Sequence, residues 1–105
     1  MEAELKERFE LYVERGDRLS EERKYEEAFD AYLEALITLA SLRVYADTGM
    51  LIPAERLIGF LGKYQRLEEA LRRFSGVKGG EKEARALREE LERLRGMMSL
   101  PSSER

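Results

Sequence analysis

Cysteine, histidine, asparagine and tryptophan do not occur in the 105 residues, glutamine occurs once, at Gln65, and proline twice. Without cysteine there is no disulfide, no thiolate nucleophile and no sulfur ligand for a metal. Without histidine the chain lacks the commonest transition-metal ligand and the side chain best suited to moving protons near neutral pH. Carboxylates, amines, phenols and hydroxyls remain, and none of them falls into a catalytic pattern. Ser75, Ser99, Ser102 and Ser103 have no base beside them. The glycine-rich "SGVKGGEK" lacks both the G-x-x-x-x-G-K-[ST] spacing and the preceding strand of a phosphate cradle, so it reads as a turn. Glu22, Glu26 and Asp30 share a helix face, but it is a polar face interleaved with Arg23 and Lys24, and carboxylate metal sites in bundles call for histidine as well. The expectation is no catalysis, no cofactor and no metal. Long apolar runs are also missing: none approaches the roughly 18 residues of a membrane span. The opening "MEAELKERFE" is charged where a secretory signal would be apolar, so a cytoplasmic protein with no membrane association is expected.

What is present is charge set on a helical period. Hydrophobic residues make up 43% and charged residues 39% of the chain, the balance of a globular domain. Many glutamates and arginines, with few amides, give a thermophile-like composition. The net charge of −3 is uneven: residues 1–34 hold 12 acids and 6 bases, whereas residues 35–105 hold 10 acids and 13 bases. This dipole is explained by solvated helix faces attracting one another, or by a basic surface for an acidic partner.

Four segments carry helical periodicity. The first, Glu2 to about Ser20, has the single stripe Leu5, Phe9, Tyr12, Val13 and Leu19. The second, about Lys24 to Asp47, is apolar over most of its circumference and must be central. In "DTGMLIP", Gly49 suits a left-handed cap and Pro53 the start of a new helix. The third is expected from Ala54 to about Phe74, with the stripe Leu57, Phe60, Tyr64, Leu67, Leu71 and Phe74 widened by Leu61 and Ala70. "SGVKGG" is expected to be a flexible turn. The fourth, Glu81 to about Met98, has the narrow seam Ala84, Leu87, Leu91, Leu94 and Met98, flanked by the i,i+4 pairs Glu81–Arg85, Arg85–Glu89, Arg88–Glu92 and Glu89–Arg93. That seam either completes the core or, swinging out on its linker, pairs with another copy to make a homodimer. Residues 1–98 thus form one helical domain and 99–105 a flexible tail. The expected fold is all-α, a four-helix up-down bundle.

Close approach of two helices requires small residues at the crossing, which places Ala28 and Ala35 of the second helix against Gly16 or its neighbours in the first. The stretch Phe9 to Leu42 resembles a single tetratricopeptide repeat, a helical hairpin of about 34 residues. Ala28, Tyr32 and Ala35 stand at the three second-helix positions of that pattern, Gly16 at the small first-helix position, and Tyr12 at the aromatic position before it. Leu19 replaces the usual tyrosine and Ala40 the usual closing proline. A second repeat in register fits at Gly62 but not at Arg66 or Glu69, so the resemblance covers one hairpin, about a third of the chain. It implies a bundle built on a tetratricopeptide-like hairpin and a protein partner, whose identity the sequence does not name.

Two further families share the look. "KYEEAFDAYLEAL" is similar to the second helix of the microtubule-interacting-and-trafficking domain, a three-helix bundle that holds amphipathic peptide helices in a groove. "YADTGMLIPAERLIGFL" is similar to the join between the middle helices of prokaryotic HEPN bundles. Ribonuclease members of that family use an arginine followed by histidine, so this kinship implies a nucleic-acid-associated bundle lacking the ribonuclease residues. Arg56, Lys63, Arg66, Arg72, Arg73 and Lys78, with Tyr64 and Phe74 among them, are the candidate nucleic-acid surface, diluted by Glu55, Glu68 and Glu69. The primary expectation is a non-catalytic protein–protein interaction module.

Overall fold

The computed structural model describes residues 1–98; Ser99 to Arg105, where the flexible tail was expected, and the side chains of Met97 and Met98 lie outside the described residues. The described chain is all-helical: α1 (Glu2–Glu21), α2 (Tyr25–Thr48), α3 (Ala54–Leu57), a 3-10 turn (Ile58–Phe60), α4 (Gln65–Phe74) and α5 (Glu81–Met98). Its radius of gyration, 13.3 Å, matches the roughly 13 Å of a compact chain of about 100 residues.

Helix α1 buries Leu5, Phe9, Val13 and Gly16, one stripe at spacings of four, four and three. It ends without a glycine. Arg23 takes the left-handed conformation (φ 62°), the Lys24 N–H reaches back to the Leu19 carbonyl at 2.9 Å and the Arg23 N–H to that of Ser20 at 2.9 Å. These two bonds satisfy carbonyls that the helix end would otherwise leave free. Helix α2 runs back along α1. It is buried on several sides, from Ala28 and Phe29 through Leu36 and Ala40 to Val44, because α1, α3, α4 and α5 all pack on it. Gly49 closes it in the left-handed conformation (φ 74°), its N–H on the Tyr45 carbonyl at 2.8 Å.

The expected single helix from Ala54 to Phe74 is broken. Gly59 and Gly62 each cost about 1 kcal/mol in a helix relative to alanine, and the chain leaves helical geometry between them, at Leu61 (φ −105°, ψ 19°), and again at Tyr64 (φ −122°, ψ 70°). The break rotates the apolar stripe. Leu61 enters the core at 0% exposure while Phe60, expected inside, is 44% exposed. Beyond it, α4 runs opposite to α2, with the Tyr64 hydroxyl on Asp47 and Phe74 against Phe29 at a ring separation of 6.2 Å.

The α4–α5 connection, expected to be loose, is docked. Gly79 is buried beneath the Phe29 ring, which a Cβ there would overlap, and the Gly80 N–H donates to Glu83 Oε1 at 2.9 Å. Helix α5 then lies in the opposite sense to α1, with Arg88 on Asp17 and Arg95 on Glu10. Its seam residues Ala84, Leu87, Leu91 and Leu94 belong to the same buried cluster as Phe9, Phe29, Leu36, Leu61 and Phe74. Of the four expected i,i+4 pairs, Glu81–Arg85 and Arg88–Glu92 form, while Arg93 turns to Glu90 instead.

Candidate functional site

At the end of the molecule where α1 and α2 turn into each other, polar groups are satisfied and side chains fill the space. The Tyr32 hydroxyl donates to Asp17 Oδ1 at 2.5 Å, and Arg88 donates to both Asp17 oxygens, at 2.8 and 3.1 Å. One carboxylate thereby ties α1, α2 and α5. Burial pushes the Asp17 carboxyl up, but the hydrogen bonds from Arg88 and Tyr32 outweigh it and hold Asp17 below the usual range. Burial, and then the bond to Asp17, pushes the Tyr32 phenol up to about 12. A second tie joins α4 to α5: Glu90, only 7% exposed, accepts from Arg66 (3.2 Å) and Arg93 (2.9 Å). Burial raises its pKa, and the two guanidinium groups lower it further than burial raises it.

The helix-crossing residues expected from the sequence gather at this end. Gly16 is buried under the Tyr32 ring, which a Cβ at Gly16 would overlap. Ala28 and Ala35 are fully buried, and the group nearest to a Cβ at Gly16 would be the Tyr32 ring. Tyr12 is half-buried with the Arg15 guanidinium 5.4 Å from its ring centroid. The seam Ala84, Leu87, Leu91 and Leu94 is covered by the chain's own core. The proposed homodimer seam is therefore occupied intramolecularly; Met98, its last member, lies outside the described side chains.

Among the described residues, the opposite end is open. Between the first half of α1, the last turns of α2 and the last described turn of α5 lies a groove of about 530 Å³. Phe9, Leu39, Leu42 and Ala46 supply its apolar part; Glu2, Lys6, Glu7 and Glu10 line it from α1, and Arg43 and Arg95 from α2 and α5. Both arginines lie over aromatic rings: Arg43 is 5.1 Å from the Tyr64 centroid and Arg95 is 5.3 Å from that of Phe9. Arg43 makes one long contact to an acid, Asp47 at 3.3 Å, and Arg95 two, Glu10 at 3.3 Å and Glu92 at 3.9 Å. Each also buries an Nε that has no hydrogen-bond acceptor among the described residues. Around the corner from α2 to α4, Met50, Leu51 and Phe60 are exposed.

The other candidates come out differently. Phe74 is buried and Tyr64 half-buried, so the aromatics of the basic surface are not free to stack on bases. Arg66 and Arg72 are paired with Glu90 and Glu68. In the glycine-rich loop, Gly79 is covered and the Gly80 amide is taken, which leaves a turn. Among the described residues no group of three or more acidic side chains could hold a metal ion, and no helix is long and apolar enough to cross a membrane. Every carboxyl with a displaced pKa, at Asp17, Asp47, Glu83 and Glu90, moves down. A general acid or base working near neutrality needs the reverse shift.

Leu42 was visible in the sequence as a member of the apolar stripe of α2, but nothing marked it as partly uncovered. Asp17 and Arg88 carried no local signal at all. Compared with protein-family models, with curated proteins and with solved structures, the chain matches none.

Proposed function

We propose that this protein is a non-catalytic interaction module, a four-helix up-down bundle on a tetratricopeptide-like hairpin, that takes a segment of a partner protein in the groove at its open end. The observation that carries this reading is the groove itself. Leu42, half-buried, and Ala46, exposed, carry the last turns of α2 along a trough rimmed by charge from Glu2, Lys6, Glu7, Glu10, Arg43 and Arg95. The downward-shifted carboxyls and the absence of histidine and cysteine favour binding over chemistry. The intramolecular burial of the α5 seam favours a partner at the groove rather than a second copy at the seam.

A photo-cross-linking residue in place of Glu7, at the groove, and another in place of Glu26, at the far end, test this in the native host. A protein adduct of discrete mass is expected from position 7 and not from position 26. The same adducts from both positions, or none from either, would remove the groove as the binding surface.

A further inference from the structure

Among the described residues, the groove continues the bed on which α5 lies. Arg88 sits on Asp17 and Arg95 on Glu10, seven residues on along α5 and seven residues back along α1, so the two helices run in opposite senses at constant register. The α1 residues lining the groove, from Glu10 back to Glu2, are the next two turns of that same track. They span about 12 Å at 1.5 Å per residue. Two adjacent helices present a continuous surface of ridges and grooves, and what fits one helix along its length fits another placed end to end with it.

Charge says which kind of helix fits. Helix α5 places basic side chains on the acids of α1, and α1 continues with Glu2 and Glu7, which make no ion pair among the described residues. On the other wall, Arg43 and Arg95 each keep a buried Nε without a hydrogen-bond acceptor, and a buried donor left unpaired is costly. We infer that the groove takes an amphipathic helical segment of a partner protein, in line with α5, with apolar side chains on Leu42 and Ala46, basic ones toward Glu2 and Glu7, and acidic ones toward Arg43. A partner segment of two to three turns is marginal as a helix in water, so it folds as it binds and micromolar affinity is expected.

This inference rests on the groove being the binding surface, and the test separates the two. The probes are two fluorescein-labelled synthetic peptides with leucines at three- and four-residue spacing, one with lysine on one flank and glutamate on the other, and one with lysine on both. Anisotropy with the full chain at low salt is expected to show the mixed peptide binding about tenfold more tightly than the all-lysine one. Arg43→Glu should reverse that order, and Leu42→Glu should abolish binding of both while the thermal melt stays cooperative. Amide shifts in the bound state should fall at Phe9, Leu42 and Ala46; shifts at Leu87 would mean that the peptide displaces α5 and would overturn the inference. Equal binding of the two peptides, or binding indifferent to Leu42→Glu, would overturn it too. So would tighter binding to Leu100→Asp in the full chain, because the groove would then belong to the chain's own terminus. If the peptides fail while position 7 still gives its discrete adduct, the occupant is of another chemistry and the groove reading stands; if both fail, both fall.

Discussion

The two ends of the molecule are built from the same two helices and differ in what lies over them. At one end Tyr32 fills the space over Gly16, Phe29 fills that over Gly79, and Asp17 accepts from both Tyr32 and Arg88. At the other, α1 and α2 present Phe9, Leu39 and Leu42 to a groove, two arginines keep an unmatched Nε, and Phe60 is turned out to solvent. Periodicity alone does not separate these ends, since both show an apolar stripe. The difference lies in α5, whose described residues pack over the first end through Arg88 and Leu87.

The largest effect expected from this contrast is a deletion at the closed end. Phe29→Ala removes a ring that is 1% exposed and should cost about 3–5 kcal/mol, whereas Leu42→Ala, at a half-buried groove position, should cost well under half as much. Urea denaturation of both variants reads the gap, and equal losses would mean the groove is as well packed as the core.

Next comes one substitution with opposite signs. Gly16→Ala and Gly79→Ala push a methyl into Tyr32 and Phe29 and should destabilise by about 1–3 kcal/mol. Gly59→Ala and Gly62→Ala meet nothing within 4 Å and should be neutral or stabilising by up to about 1 kcal/mol. Thermal melts of the four variants decide it; a loss at Gly59 would show that the break between α3 and α4 is held by packing rather than by propensity.

The polar tie predicts two pH limits. Asp17 has a lowered folded pKa, so its contribution is present above the unfolded value of about 3.9 and is lost as pH falls through the folded one; melting points should drop below about pH 4, less steeply in Asp17→Asn. Tyr32 is raised to about 12 from an unfolded value near 10. Its contribution is whole below about pH 10 and lost as pH rises toward 12, a loss that Tyr32→Phe should not show. Melts across pH measure both limits, and an alkaline limb unchanged in Tyr32→Phe would detach the phenol from the tie. The smallest effect is expected at the α1–α2 turn, where Arg23→Gly should gain about 0.5–1 kcal/mol by relieving a left-handed arginine.

How much of this was legible varied with the range of the interaction. The two long helices, the central place of α2, the cap at Gly49 and the apolar seam of α5 follow from spacing within one segment, whereas what covers that seam was left open between the core and a second copy. The third helix was misread because its stripe continues across Gly59 and Gly62, and only the burial of Leu61 in place of Phe60 reveals the rotation. Arg23 carries none of the glycine signal that a left-handed cap usually leaves. Of the candidate site, the apolar residues were legible as a stripe; which of them are covered depends on the register of α5 against α1, a long-range relation that no local pattern encodes.

The bond between Asp17 and Arg88 joins residues 71 positions apart, while Asp17 and Tyr32 are 15 apart. The hairpin of α1 and α2 closes over a short loop and its contacts are cheap in chain entropy, so it can form early. Asp17 is then already held by Tyr32 when α5 arrives. An interaction made after the barrier slows unfolding without hastening folding, and Arg88→Ala should accordingly steepen the escape from the native state while leaving the refolding rate nearly untouched. Arg88 acts as a latch: it governs how long the folded chain persists, not how fast it is reached.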